Sequence, residues 1–333
     1  MTSANSTSSS RDSDADGAAA PIRIGVSACL LGDEVRWDGG HKRDRFVTDL
    51  LGRFVEFVRV CPEVESGLSI PRPTLRLVGD PENPRLVFGE SGDDYTPTLV
   101  AWAERRVAAL AQLDLCGYVL KSDSPSCGME RVKVYGKGGM SVRKGRGLFA
   151  RVLMERLPLL PVEEDGRLND AKLRETFVER VFAYRRWRDF VARPFAMGKL
   201  VAFHAAHKYL LLAHSPEHYA SLGRLVARGK QLPRAQLCEE YGLGFAQAMA
   251  KPATRGRHYN VLQHMAGYFK DELDEPSRAE LHQALSDYRA SLVPLIVPLT
   301  LIRHHVRARG VEYLAEQVYL APHPKELMLR NHV

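Results

Sequence analysis

The sequence predicts an α/β chain: an N-terminal, mostly parallel sheet flanked by helices, followed by an all-α C-terminal domain. Two observations carry this. From Pro21 to about Glu164, short apolar runs bounded by turn residues alternate with stretches of helical periodicity, the pattern of strands joined by crossover helices. After Arg193-Pro194 the apolar spacing is helical throughout and is cut into lengths by proline and glycine.

Taken in order, residues 22–28 and 54–60 read as buried strands, 117–120 as a third, and 85–88 and 132–135 as shorter ones. Residues 45–51, 97–113 and 148–157 have the period of helices lying between them. Residues 169–190 read as one long, charged, amphipathic connector helix. Helices near 197–214, 216–228, 233–249, 257–273, 276–291 and 298–308 follow. The expected organisation is a disordered tail over 1–20, a first domain over 21–165, a helical connector over 166–195 and a helical domain over 196–333.

With 333 residues the chain is long enough for two domains. No apolar run approaches the roughly 18 residues that read as a membrane span. The Ser- and Asp-rich start lacks a basic segment and an apolar core, so it does not read as a secretory signal, and a cytoplasmic location is expected. The formal net charge of +7 suggests a polyanionic partner. Nothing in the sequence points to an obligate protein partner.

The five widely spaced cysteines do not form a disulfide framework. Cys29 follows the first strand, Cys61 the second, and Cys127 lies in the loop after the third. In a parallel sheet the strand C-termini share one edge, where ligands bind, so these three thiols are expected in one crevice. A single buried cysteine is usually only a small apolar residue; three at equivalent strand ends argue for ligation. Cys116, at the far end of the third strand, is expected roughly 15–20 Å from the crevice as a core thiol, and Cys238 as a structural thiol of the helical half. Three thiolates suit either a zinc site with an open position or a [4Fe–4S] cluster with one iron lacking a protein ligand. Spacing alone leaves both open.

The segments Ser27-Ala28-Cys29-Leu30-Leu31-Gly32, Val35-Arg36-Trp37-Asp38-Gly39, Cys61-Pro62-Glu63 with Gly67 and Pro71-Arg72-Pro73, and Ser124-Pro125-Ser126-Cys127-Gly128 together resemble the thiouracil desulfidase family over about residues 21–165. The resemblance implies a [4Fe–4S] cluster on Cys29, Cys61 and Cys127, and removal of sulfur from thiouracil without net redox change. From about 196 the chain resembles a helical domain often fused to this module. The match lies in Phe203-His204-Ala205-Ala206-His207-Lys208-Tyr209, Tyr259-Asn260-Val261-Leu262-Gln263-His264 and Pro294-Leu295-Ile296-Val297-Pro298-Leu299. Fused forms are similar to enzymes that convert 4-thiouridine in tRNA to uridine. The family more often has a basic residue where Asp123 stands here.

An iron with an open position is a Lewis acid for a soft thiocarbonyl sulfur. Water then attacks the ring carbon and hydrosulfide leaves. Glu63, two residues past a ligand, is the expected general base, against a plainer role as a helix-start carboxylate; Glu65 is the reserve. Ser124 is expected to bond the ring or relay a proton, against a plainer role in shaping a Ser-Pro turn. Arg72 faces either the crevice or solvent. Lys133, Arg143 and Lys144 in a glycine-punctuated segment, with Lys208, Arg255 and Arg257 in the helical half, are the expected RNA contacts; most such charges serve only solubility. A free thiopyrimidine instead of tRNA, or a non-enzymatic metal-stabilised RNA-binding protein, are the competing readings.

Overall fold

The computed structural model describes residues 21–136 and 138–332, so the tail expected over 1–20 lies outside the described residues. Among the described residues there are eight strands: β1 (Ile22–Ser27), β2 (Val55–Val60), β3 (Leu75–Asp80), β4 (Asn83–Phe88), β5 (Leu115–Leu120), β6 (Val132–Tyr135), β7 (Ser141–Gly145) and β8 (Val162–Glu164). The helices of the first half are the single turn α1 (Pro62–Glu65), α2 (Thr96–Leu110), α3 (Leu148–Arg156) and the long α4 (Ala171–Ala192). The second half is α5 (Met197–Ala206), α6 (Lys208–His214), α7 (Pro216–Ala227), α8 (Arg234–Met249), α9 (Arg255–Ala266), α10 (Glu275–Arg289), α11 (Ile296–Arg309) and the short α12 (Glu312–Ala315).

The strands form two sheets. The first is parallel throughout, in the order β2-β1-β5-β8. Its central strands are buried on both faces, β5 along its whole length, which is why they read as unbroken apolar runs. β1 and β2 pair in register from Ile22 opposite Val55 to Ser27 opposite Val60, so the chain leaves both strands side by side at the same edge. The second sheet, β4-β3-β6-β7, is mixed: β3 runs parallel to β6, and the outer strands are antiparallel.

α2 and α3 cover one face of the first sheet, where Trp102 and Phe149 pack beside Tyr118. α4 covers the other through Phe177, Val178 and Val181. It lies so close that a Cβ on Gly117 would stand 2.8 Å from Val181 Cγ2, which is why β5 needs glycine there. Further along α4, Ala183 and Trp187 enter the helical core, where Trp187 stacks on Tyr241 at 5.0 Å. The end of the chain returns to the first half: Leu327 and Leu329 join Leu168 and Phe177 in its core, and Arg330 is bound to Glu179 of α4 at 2.6 Å. α4 is thus a core element of both halves.

Three strands escape the sequence pattern. β7 (Ser-Val-Arg-Lys-Gly) is exposed except at Gly145, so it has no apolar face to signal. β8 is short and buries two glutamates. β3 alternates, but is preceded by a proline-rich turn that masks its start. The helix expected over 45–51 is a wide π-helical turn, Phe46–Leu50, followed by a tight 3₁₀ turn, Leu51–Arg53. They end where Gly52 fits beneath the Phe57 ring, a Cβ there falling 3.0 Å from its edge.

Candidate active site

At the C-terminal edge of the parallel sheet lies a cavity of about 430 Å³, within the roughly 300–1,000 Å³ range of small-ligand sites. Cys29, Cys61 and Cys127 all line it, together with Glu63 and Ser124. Each arrives by a different route. Cys29 sits in the turn Ala28–Leu31 directly after β1, closed by Gly32 in the left-handed conformation at φ 97°. Cys61 is the first residue after β2 and caps α1, whose Pro62 opens the turn. Cys127 lies seven residues beyond β5, in a loop fixed from several sides. Ser124 Oγ accepts from the Cys127 N–H at 3.1 Å and the Ser126 N–H at 3.2 Å. Glu164 Oε1 accepts from the Met129 N–H at 2.5 Å. Gly147 passes so close that a Cβ would meet the Ser126 carbonyl carbon at 2.6 Å and the Cys127 nitrogen at 2.8 Å.

All three thiols are free and none is fully exposed. Burial pushes the Cys29 thiol up to about 11, with the neighbouring Cys61 adding to the rise and Lys121 and Arg36 opposing it. Burial likewise raises Cys61 and Cys127; Ser27 opposes the rise at Cys127 by hydrogen bonding. Such thiols keep their protons unless a metal takes their place. Among the described residues no three His, Cys, Asp or Glu side chains stand close enough together to hold a single metal ion. Cys116 lies in β5, is buried against the α4 side of the sheet and does not line the cavity. Cys238 packs against the helical core.

Glu63 and Arg72 form a nearly buried pair. Arg72 Nη2 and Nε lie 2.7 and 2.9 Å from Glu63 Oε2, and Ser126 Oγ donates to Oε1 at 2.9 Å. Arg72 also donates to the Val35 and Ser69 carbonyls, so its place is the crevice wall rather than the surface. The helix-start duty falls to Glu65. Its Oε1 accepts from the Cys61 N–H at 3.0 Å and its Oε2 pairs with Arg106. Glu63 is thereby left to the cavity.

Sequence reasoning passed over Ser126, which ties Glu63 to the Cys127 loop, and Lys121 and Asp165, paired at 2.9 Å beside Cys29. It also passed over Glu164, whose signal was two consecutive glutamates in a position that the sheet topology buries. Trp37, 45% exposed, and Arg36 stand at the rim.

Beside the mouth a second groove runs over the mixed sheet, sharing Leu75, Asp123 and Pro125 with the crevice and adding Arg76, Lys133, Tyr135 and Arg143. Lys133 and Lys144 are exposed and have no ion-pair partner among the described residues; Arg143 is paired with Asp123 at 2.9 Å. In the helical half Lys208 lies over the Tyr209 and Tyr313 rings. Arg255 donates to the Tyr288 carbonyl and Arg257 to the His214 carbonyl, each at a distance within 2.8 Å, so both also serve the fold.

Three unpaired thiols, a carboxylate and a hydroxyl converging on one sheet edge define an α/β protein with a soft-donor crevice. Residues 24–165 match the family described as 2-thiouracil desulfurase, and residues 208–324 match one described as a protein of unknown function, DUF1722. The chain is 31% identical over 108 residues to the uncharacterized protein YbbK of Bacillus subtilis (strain 168), covering 31% of this chain and 71% of that one. It is 28% identical over 168 residues to the uncharacterized protein YbgA of Escherichia coli (strain K12), covering 49% and 98%. A solved [4Fe-4S]-dependent thiouracil desulfidase, TudS, is similar at 33% identity over 44% of this chain and 93% of its own, with a TM-score of 0.37. The chain belongs to the 2-thiouracil desulfurase family. Among the described residues no helix is long and apolar enough to cross a membrane.

Proposed function

We propose that this chain is a [4Fe–4S]-dependent desulfidase that converts 4-thiouridine in tRNA to uridine with release of hydrosulfide, Cys29, Cys61 and Cys127 holding the cluster. The observation that carries this reading is the convergence of the three thiols, Glu63 and Ser124 on one cavity. The donor set fits the group. A cluster takes one thiolate on each of three irons, so the thiols need not meet at a point, as a zinc ion would require. When bound, such a cluster supplies a thiophilic Lewis acid that polarises a C=S bond.

The chain's own groups do the rest. Arg72 fixes the Glu63 carboxylate by two contacts on Oε2. Oε1 accepts one bond from Ser126 and keeps a lone pair for the proton of the attacking water. Ser124 Oγ accepts two backbone N–H groups, which leaves its own hydrogen to donate to the pyrimidine. The tRNA reading is supported by the groove beside the mouth, where Lys133 and Arg143 would neutralise phosphates flanking an extruded base; the exposed Lys144 follows Arg143 on β7 and would serve RNA outside the groove. The helical region from 196, with Lys208, Arg255 and Arg257, would hold the tRNA body. A reducing cytoplasm suits the free thiols.

The test is to purify the full chain without oxygen, measure iron and visible absorbance, and assay it on thiolated tRNA and on free thiouracil. A brown, iron-containing protein that desulfurises the tRNA is expected, with turnover on tRNA falling steeply with salt. A colourless protein of full activity would sink the cluster assignment. Activity confined to the free base would sink the tRNA assignment.

A further inference from the structure

Among the described residues that line the thiol crevice, Trp37 is the only aromatic one. It is 45% exposed, whereas Trp102 and Trp187 are 9% and 4% exposed and pack on Phe149 and Tyr241. No aromatic ring of the described residues lies against the Trp37 indole, so its faces are open. A single exposed apolar side chain is ordinary. What sets this one apart is the loop that carries it.

Residues 36–40 close on themselves. The Arg36 N–H donates to the Gly40 carbonyl at 3.2 Å, the Gly39 N–H to the Arg36 carbonyl at 3.0 Å, and the Gly40 N–H to Asp38 Oδ1 at 3.1 Å. Gly39 takes the left-handed conformation at φ 77°, which glycine adopts without strain. The loop is then fastened to the crevice from several sides. The Arg72 N–H donates to the carbonyl of Trp37 itself at 2.9 Å, and Arg72 Nη2 to the Val35 carbonyl at 2.9 Å. The Cys61 thiol donates to the same Val35 carbonyl at 3.7 Å, and the Lys42 N–H to the Cys29 carbonyl at 2.9 Å. The arginine that fixes Glu63 therefore also fixes the backbone of Trp37, and the segments of two crevice thiols hold its loop. An open aromatic face on a rigid mount loses little freedom when a flat ligand settles on it.

We infer that Trp37 is the platform on which the pyrimidine ring of the substrate stacks at the mouth of the crevice. This rests on the desulfidase reading and names the residue by which that site takes hold of its base. A base drawn out of an RNA loses its stacking neighbours, and the indole supplies one in return. Stacking selects a planar ring whatever its hydrogen-bonding edge, so recognition of that edge falls to polar groups of the wall such as Ser124.

The probe is uracil, which has the ring but no sulfur to lose, bound to the full-length protein purified without oxygen and followed by calorimetry. Trp37→Leu keeps apolar bulk and removes the aromatic face. It should weaken uracil binding by roughly 5–140-fold, the range of base–aromatic stacking, with iron content and visible absorbance unchanged. The loss of turnover on free thiouracil should fall on KM more than on kcat. Trp37→Phe, which keeps an aromatic face, should retain most of the affinity. Dihydrouracil, whose ring is not planar, should bind the parent less tightly than uracil, and Trp37→Leu should narrow that difference. A KM raised on thiolated tRNA as well would show that a base presented by tRNA reaches the indole; a KM raised on the free base alone would confine the stack to free thiopyrimidine. Iron-replete Trp37→Leu that binds uracil as tightly as the parent overturns the inference and leaves the desulfidase reading standing. Loss of iron in both variants would make the indole a structural residue and also overturns it. A parent that desulfurises neither substrate would overturn both.

Discussion

Replacing Glu63 by glutamine tests the crevice most sharply, because two separable effects are expected. The Arg72 side chain is 3% exposed and that of Glu63 16%. Two unit charges about 4 Å apart attract by about 4 kcal/mol at the effective dielectric of such sites. Breaking a buried pair by removing one partner costs roughly 3–5 kcal/mol, because the other charge is stranded. Glu63 retains some contact with solvent, and Arg72 keeps its bonds to the Val35 and Ser69 carbonyls, so the low end, about 3 kcal/mol, is expected for Glu63→Gln. Turnover should fall on the order of 100-fold if Glu63 is the general base. Urea unfolding under anaerobic conditions reads the first effect and single-turnover desulfuration the second. Arg72→Met and the double variant complete a cycle that isolates the pair. The double variant should recover most of the stability and none of the rate. If Glu63→Gln loses less than about 0.5 kcal/mol, the pair is not the wall of the crevice described above; if it also keeps its rate, the base lies elsewhere.

Other outcomes are expected with it. Serine at Cys29, Cys61 or Cys127 should each lower bound iron and visible absorbance, whereas serine at Cys116 or Cys238 should not; a full complement of iron in any of the first three would remove that residue from the ligand set. Gly147→Ala should press on the Ser126–Cys127 backbone, cost about 1–3 kcal/mol as overpacking does, and reduce iron uptake; normal iron content would show that the loop can give way. Between pH 7 and 8 the parent should lose stability as pH rises, because Glu175 is raised to about 8 in the folded chain and is already ionised when unfolded. Glu175→Gln should flatten that slope, and an unchanged slope in denaturant titrations would disprove the assignment. Below pH 6.5 the sign reverses, since burial holds His207 and His258 down to about 3, so the unfolded state takes up protons that the folded state refuses.

The placement of the three cysteines was legible because a parallel sheet turns sequence-distant strand ends into neighbours, and the strands β1, β2 and β5 are apolar enough to be seen. The second sheet was not legible as a separate layer. Its strands are short, β7 is polar, and the β3–β6 pairing joins segments more than fifty residues apart. Within the site, Glu63 was found by its distance from Cys61, but its partner Arg72 read equally well as a surface turn. Only the fold shows that Pro71-Arg72-Pro73 folds back under Val35. The long helix over 169–190 was visible, but its charged residues concealed that Phe177, Val181 and Trp187 are buried.

The return of Leu327 and Leu329 to the core beneath Cys29 has a consequence for how the chain is made. The ribosome delivers the sheet first, but the apolar layer against α4 stays open until residues 327–329 have emerged. At roughly 5–20 residues per second, that is about 8–33 s after β8. Closure of the layer therefore coincides with completion of the helical half, and the sheet reaches its final packing only once residues 327–329 have been made.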